Sequence, residues 1–301
     1  MIKILVTPQG YELLGEELLE LYNDGYDVEF VGGQIAEKAE LISKLKNVDG
    51  CIIGAELIDK EVFDNCLNLK ILSRFGVGYN SIDMYEASKH NVMVTVVPDV
   101  NSKSVARHCL SLMLTLTNNI FIQKKAFKNN EWLRSYNLSP KSKTVGIIGR
   151  GVIGKEFAKL CLSLGYEIIY YSRNDSIYDL IKQSDIVSLH LKSTKETEGI
   201  IDKDCIDLLK GKYFLNTARA DLVDEKYLYE KISTMKGVGL DVYGNEPNVN
   251  IPDKVRNADN VVLTCHTACY DKDSVIKVGV QAINNIRYFF NDELDKVDKF
   301  V

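Results

Sequence analysis

The chain has 301 residues, 46% hydrophobic and 26% charged, the make-up of a globular protein with material for two domains of ordinary size. Lys and Arg number 37 against 42 Asp and Glu, a formal net charge of −5, which argues against a nucleic-acid partner because such proteins carry basic stripes. No apolar run approaches a membrane span, and residues Met1 to Pro8 lack the apolar segment and cleavage site of a signal peptide, so a cytoplasmic protein with no membrane partner is expected.

Short β-rich runs alternate with amphipathic segments, the pattern of parallel sheets with helices on their faces. In chain order, strands are predicted over 3–7, 27–31, 50–53, 71–74 and 93–96, with helices between them at 15–22 and 36–45. A long apolar-periodic helix follows at 101–117, then a polar stretch, 118–143, holding the one tryptophan, Trp132. Further strands are predicted over 144–148, 167–171, 186–189, 213–216, 237–240 and 261–263, and a last helix, 273–290, is expected to return to the N-terminal half. The seven cysteines are scattered and odd in number, which reads as buried free thiols. Cys265-His266-Thr267-Ala268-Cys269 lacks a second ligand pair at zinc spacing, so no metal is expected.

Gly149-Arg150-Gly151-Val152-Ile153-Gly154 stands between the predicted strand 144–148 and an amphipathic helix, the context that a dinucleotide-binding fingerprint requires. The first glycine permits the tight turn, the second lets the backbone approach a pyrophosphate, and the third lets the helix pack closely on the strand. An acid about 20 residues further on serves a free ribose 2′-hydroxyl, whereas an Arg suits a 2′-phosphate. Here Ser172-Arg173-Asn174 follows Tyr170-Tyr171, and Arg173 reads either as the partner of a 2′-phosphate or as a solvated surface arginine. Asp175 is discounted as lying past the strand end.

Three later segments follow strands and carry polar residues that packing does not require: Asn216 to Ala220, Asp241 to Pro247 and Thr264 to Ala268. In an open parallel sheet they converge at the carboxyl ends of the strands, beside the cofactor crevice. They bring an Arg, a Glu and a His: Arg219, Glu246 and His266.

With Arg74 to Asp83 and Ser102 to Ala106, these motifs in this order resemble the D-isomer-specific 2-hydroxyacid dehydrogenases over essentially the full chain. The resemblance implies two doubly wound parallel-sheet α/β domains, Rossmann-like and flavodoxin-like, with the active site in the cleft between them. The substrate domain is expected over 1–99 plus 271–301 and the dinucleotide domain over 100–270, with 118–143 as a dimerisation arm of a homodimer. Arg219, Glu246 and His266 match the catalytic residues. The loop of Phe75, Gly76, Val77 and Gly78, with Arg219, is expected to hold the substrate carboxylate, its backbone N–H groups donating. Asp241 is expected at the nicotinamide carboxamide, and further cofactor contacts at Ser104, Gly149, Arg150, Gly151, Val152, Ile153, Gly154, Ser172, Arg173, His190, Lys192, Thr217, Ala218, His266 and Ala268. Lys192 stands where the family often has Pro, and reads equally as a second cation for a 2′-phosphate or as an exposed lysine. Arg107 replaces a usual Glu, and Ala220 a usual Gly.

Chemistry assigns roles to the same residues. Reducing a 2-oxo acid needs a hydride donor, a proton donor to the carbonyl oxygen and a cation for the carboxylate. A carboxylate such as Glu246 favours the imidazolium of His266, which then serves as acid in reduction and base in oxidation. Arg219 offers a planar fork that binds the carboxylate and polarises the carbonyl. The expectation is an NADP(H)-preferring reductase of small 2-oxo acids of the glyoxylate or hydroxypyruvate type. The alternatives are an NAD-dependent D-3-phosphoglycerate dehydrogenase and, from another class, a dinucleotide-sensing binding protein or corepressor on the same fold.

Overall fold

The computed structural model describes every residue except Asp99, Arg173, Asn174 and 299–301. Two compact units form, Met1–Asn101 with Tyr270–Val301, and Ser102–Cys269. The first boundary falls two residues beyond the expected 99, where Ser102 begins a helix.

The first unit is a five-stranded parallel sheet of β1 (Lys3–Val6), β2 (Asp27–Phe30), β3 (Gly50–Ile53), β4 (Ile71–Arg74) and β5 (Met93–Thr95), in the order β2-β1-β3-β4-β5. This is the flavodoxin-like order, with its reversal between β1 and β3. Every residue of β3 is buried, whereas edge strand β2 alternates between exposed and half-buried positions. Helices α1 (Glu16–Asn23), α2 (Lys38–Leu45), α3 (Lys60–Asn65) and α4 (Met84–Lys89) connect the strands. Asp59 and Asp83 accept the Val62 and Glu86 N–H groups and so start α3 and α4, as N-cap side chains do. The C-terminal helix, Lys272–Phe290, buries Val278, Ala282, Ile283 and Ile286 against Ile4, Val6 and Ile71. Arg287 ties its far end to Glu20 and Asp24.

The second unit opens with α5 (Ser102–Thr117) and α6 (Ile120–Lys128). Its six parallel strands are β6 (Thr144–Ile148), β7 (Glu167–Tyr171), β8 (Ile186–Leu189), β9 (Tyr213–Asn216), β10 (Gly237–Leu240) and β11 (Val261–Leu263). They lie in the order β11-β10-β9-β8-β6-β7, so the strand order reverses between β6 and β8. Helices α7 (Val152–Ser163), α8 (Ile177–Gln183), α9 (Lys203–Leu208), α10 (Glu225–Lys231) and α11 (Asp253–Arg256) fill the crossovers. Strands β8, β9 and β10 are buried throughout, which is why, Ser188 and the terminal Asn216 apart, they read in the sequence as apolar runs.

Helix α5 packs on β10 at a distance that glycine permits. A Cβ at Gly239 would lie 2.9 Å from Leu215 Cδ2 and 3.2 Å from Leu112 Cβ, and one at Gly237 would lie 2.8 Å from Tyr213 Cδ1. This groove seats α5 beside the strands whose ends carry the polar segments. The stretch 118–143 holds a helix, α6, that was not predicted. Its N-cap, Asn119, is of a type that often starts helices but is left-handed here and makes no side-chain cap. Phe121, Phe127, Trp132, Leu133 and Tyr136 on and after α6 are exposed.

Candidate active site

The six strands of the second unit end level with one another. Ile148 pairs with Tyr171 and Leu189, Leu189 with Asn216, Asn216 with Leu240, and Leu240 with Leu263. All the segments that follow therefore leave one edge of the sheet, on both sides of the reversal between β6 and β8, where open α/β sheets bind ligands.

The glycine loop leaves β6 there. Gly149 has φ 114°, and a Cβ on it would sit 2.4 Å from the His190 carbonyl oxygen, so the β6 and β8 loops touch at this residue. A Cβ on Gly154 would meet the Gly149 oxygen at 2.1 Å, yet one on Gly151 would meet nothing within 4 Å. The first and third glycines thus answer to packing and the second faces open space. Gly151 N-caps α7 without a side-chain bond, and the first turn of α7 carries no acid, which suits an anion at the helix start. Arg150 lays its guanidinium 5.0 Å from the centre of the Tyr170 ring. Thr217, at the end of β9, has a buried hydroxyl with no hydrogen bond of ordinary geometry. An open cradle and an uncapped helix start on one edge fit a dinucleotide.

At the end of β7, Arg173 lies outside the described residues. Ser172 is exposed, and its N–H donates to Asp175 Oδ2 at 2.9 Å while its oxygen accepts the Asp175 N–H at 2.8 Å. The carboxylate discounted from the sequence therefore folds back to the strand end, because an Asp side chain readily closes such a turn on the backbone three residues away. Lys192 is exposed. His190 is half-buried, its Nε2 2.9 Å from Ser188 Oγ and its ring 5.1 Å from that of Phe157. Desolvation pushes the His190 pKa down to about 3, so the imidazole is neutral at pH 7.

Arg219 follows β9. Asn216 braces its turn, accepting the Ala218 N–H at 3.0 Å and donating to the Arg219 carbonyl at 2.8 Å. The Arg219 Nη1 donates to the Ala218 oxygen at 2.6 Å. Asp241, fully buried after β10, accepts from Thr264 Oγ1 at 2.5 Å, from the Thr267 N–H at 2.9 Å and from the Ala268 N–H at 3.0 Å. Burial alone would raise its pKa. Hydrogen bonds from His108, Thr264 and these two amides outweigh it and hold the carboxyl below the usual range. Both Asp241 oxygens are thus engaged by the segment after β11, and its first role is to shape that segment.

His266 lies in that segment, at φ 51°. Its Nδ1 is 2.5 Å from Glu246 Oε2, while Glu246 Oε1 accepts the Tyr243 N–H at 2.7 Å. Both carboxylate oxygens are occupied, and the imidazole is held at Nδ1 with Nε2 directed elsewhere. Tyr243 joins the two segments, its hydroxyl donating to the Thr264 oxygen at 2.7 Å. Ser104 on α5 donates to the Ala268 oxygen at 2.8 Å, so these two expected cofactor contacts are bonded to each other.

The Phe75–Gly78 loop follows β4 in the first unit. The Phe75 N–H donates to the Ile53 oxygen at 2.8 Å and the Gly76 N–H to the Arg74 oxygen at 2.9 Å. The expected set of four amide donors therefore narrows to Val77 and Gly78, because Phe75 serves β3 and Gly76 closes a tight turn on Arg74. Among the described residues one His–carboxylate cluster forms, Asp64, Glu86 and His90, and Lys60 and Lys89 already pair with its acids. Five of the seven cysteines are buried. Burial pushes the Cys66 thiol up to about 11 and that of Cys109 to about 12, so both stay protonated and inert.

Residues 110–268 match the family described as D-isomer specific 2-hydroxyacid dehydrogenase, NAD binding domain. A glyoxylate reductase of Pyrococcus furiosus is 33% identical over 288 residues, covering 87% of this chain and 83% of the relative. The chain belongs to the D-isomer specific 2-hydroxyacid dehydrogenase family. Another relative, a D-3-phosphoglycerate dehydrogenase of Archaeoglobus fulgidus, is 33% identical over 300 residues, and this 2-hydroxyacid dehydrogenase chain spans 55% of that relative's length. The crystal structure of the TT0316 protein from Thermus thermophilus superposes with a TM-score of 0.88 at 27% identity, covering 97% of each chain. Among the described residues of this family member, no helix is long and apolar enough to cross a membrane. Sequence reasoning missed His108, whose Nε2 lies 3.0 Å from Thr264 Oγ1. Its spacing of four from Ser104, which puts both on one face of α5, was the available signal.

Proposed function

We propose that this protein is an NADPH-preferring reductase of small 2-oxo acids that forms D-2-hydroxy acids, with glyoxylate or hydroxypyruvate as substrate. The observation that carries the reading is the His266–Glu246 pair at 2.5 Å on the edge that also bears Arg219 and the glycine loop. A nicotinamide coenzyme supplies the hydride when bound. The glycine loop Gly149 to Gly154 and the start of α7 hold its pyrophosphate, and Thr217, Ala218 and Asp241 lie toward its nicotinamide end. Ser172, Arg173 and Lys192 select the 2′-phosphate.

Arg219 binds the substrate carboxylate with its fork, and the Val77 and Gly78 amides add neutral donors. His266 gives the proton on Nε2 to the carbonyl oxygen as it becomes a hydroxyl, and takes it back in oxidation. Glu246 keeps the other ring proton on Nδ1 and compensates the charge of the imidazolium. The first unit is the substrate domain and the second the coenzyme domain. The protein works as a homodimer in which a second copy covers the exposed Phe127, Trp132 and Tyr136 of the arm.

Initial rates with a panel of 2-oxo acids, NADPH and NADH in parallel, test the reading. NADPH oxidation by glyoxylate or hydroxypyruvate that His266→Ala abolishes supports it, and no turnover with any panel member refutes it. A second reading, NAD-dependent oxidation of D-3-phosphoglycerate, draws on the Archaeoglobus relative and on the Asp175 carboxylate at the β7 end. NADH formation from that substrate would favour it. Sedimentation of wild type against Trp132→Glu tests the dimer.

A further inference from the structure

The segment carrying His266 is gripped at both ends by one face of α5. Ser104 Oγ donates to the Ala268 oxygen at 2.8 Å, and four residues along the helix His108 Nε2 lies 3.0 Å from Thr264 Oγ1. Thr264 passes the contact on, its hydroxyl donating to Asp241 Oδ1 at 2.5 Å. Because the single hydroxyl proton of Thr264 is committed to a carboxylate that only accepts, Nε2 of His108 must be the donor. A directed network results: His108 Nε2 faces Thr264 Oγ1 and, at 3.5 Å, Asp241 Oδ1 as well, Thr264 donates to Asp241, and Asp241 in turn collects the Thr267 and Ala268 N–H groups. His266 lies inside this frame in a left-handed backbone conformation, φ 51°, of the kind that persists only where surrounding contacts over-determine it. Its ring is tied at Nδ1 to Glu246, which belongs to a different segment. The direction of Nε2 therefore depends on how the 264–268 backbone is held against 243–246.

We propose that His108 is a positioning residue for the reduction, acting through Thr264 and Asp241, with Ser104, to fix the aim of His266. The proposal rests on the reading of His266 as the proton donor. This role requires of His108 no contact with substrate or the reacting atoms. Loosening its end of the segment misplaces the proton donor and leaves the carboxylate site at Arg219 intact.

The test is steady-state kinetics on His108→Leu, His108→Gln, Thr264→Val and the His108→Leu/Thr264→Val double variant, with coenzyme carrying hydrogen or deuterium at the transferred position. His108→Leu and Thr264→Val are each expected to lower kcat at least about 10-fold, to change KM for the 2-oxo acid less than about 3-fold, and to raise the isotope effect on kcat. Gln, which restores an N–H donor, is expected to recover kcat to within about 3-fold of wild type. The double variant falls short of the product of the two single losses, because both loosen one network around Asp241. Leucine retaining wild-type kcat, Gln failing as badly as Leu, or the two single losses multiplying would each overturn the proposal. If His108→Leu does not fold, Thr264→Val and the Gln variant read the same network. Wild-type inactivity would refute the proposed activity, whereas wild-type activity lost in His266→Ala but indifferent to His108 and Thr264 would refute this role alone.

Discussion

Glu246 Oε2 and His266 Nδ1 lie 2.5 Å apart, with the second Glu246 oxygen bonded to the Tyr243 amide. The carboxylate is thus fixed before it fixes the imidazole. Glu246→Gln replaces an acceptor-only group with an amide that must turn its oxygen to His266 and loses the charge that offsets the imidazolium. We expect kcat to fall roughly 10- to 100-fold and His266→Ala to cost about 10³-fold or more. Turnover of both variants at saturating coenzyme checks this, and Gln matching wild type would remove Glu246 from the mechanism.

Gly151 separates binding from folding. A Cβ there meets open space at an ordinary backbone conformation, φ −73°, so Gly151→Ala should leave the melting temperature within about 1–2 °C of wild type. It places a methyl where the pyrophosphate must approach, and coenzyme Kd should weaken about 10-fold or more. Gly149→Ala, which drives a Cβ into the His190 carbonyl at a left-handed φ, should instead lower stability. Fluorescence titration with NADPH and thermal melts distinguish the two.

At the end of β7, Asp175→Asn keeps an oxygen to accept the Ser172 N–H and deletes the charge. A 2′-phosphate is favoured by that deletion, so the ratio of kcat/KM for NADPH over NADH should rise about 3- to 10-fold. Arg173→Asp should move the ratio the other way. An unchanged ratio in both would take coenzyme selection away from this turn.

His190 and the carboxylates give different acid windows. The His190 pKa is pushed down to about 3 in the folded protein from an ordinary value of 6.5, so between these values the unfolded chain binds a proton that the folded one does not. Stability is full above pH 6.5 and falls as pH drops below it, at roughly 1 kcal/mol per pH unit. Asp241, with a lowered pKa, contributes stability above the ordinary carboxylate range that is lost only as pH falls through and below it. Urea unfolding of His190→Gln should flatten the pH dependence between 6.5 and 4. A slope equal to wild type would assign that window to other groups.

How much of this was legible depended on how each feature is encoded. The second-unit strands came through the sequence with their ends intact, because buried parallel strands such as β8 and β9 are apolar but for Ser188 and the terminal Asn216, and stop where polar loops begin. Arg219, Glu246 and His266 were singled out on the same ground, as polar residues in the segments that follow those runs. Helix α6 was not, since its cap makes no side-chain bond and its exposed aromatic residues follow no core period. Asp175 was discounted and His108 passed over because each acts by reaching back or across in space, the one to Ser172 and the other to Thr264. Linear spacing past a strand end carries no sign of such returns.

Level strand ends have a further consequence. Because Tyr171, Ile148, Leu189, Asn216, Leu240 and Leu263 stand abreast, each functional part is mounted on its own rail of a shared scaffold. A lengthened or exchanged segment after one strand shifts no neighbouring strand. On the proposed function, coenzyme choice at β7 and acid chemistry at β10 and β11 can therefore drift independently under selection, one being retuned while the other is kept.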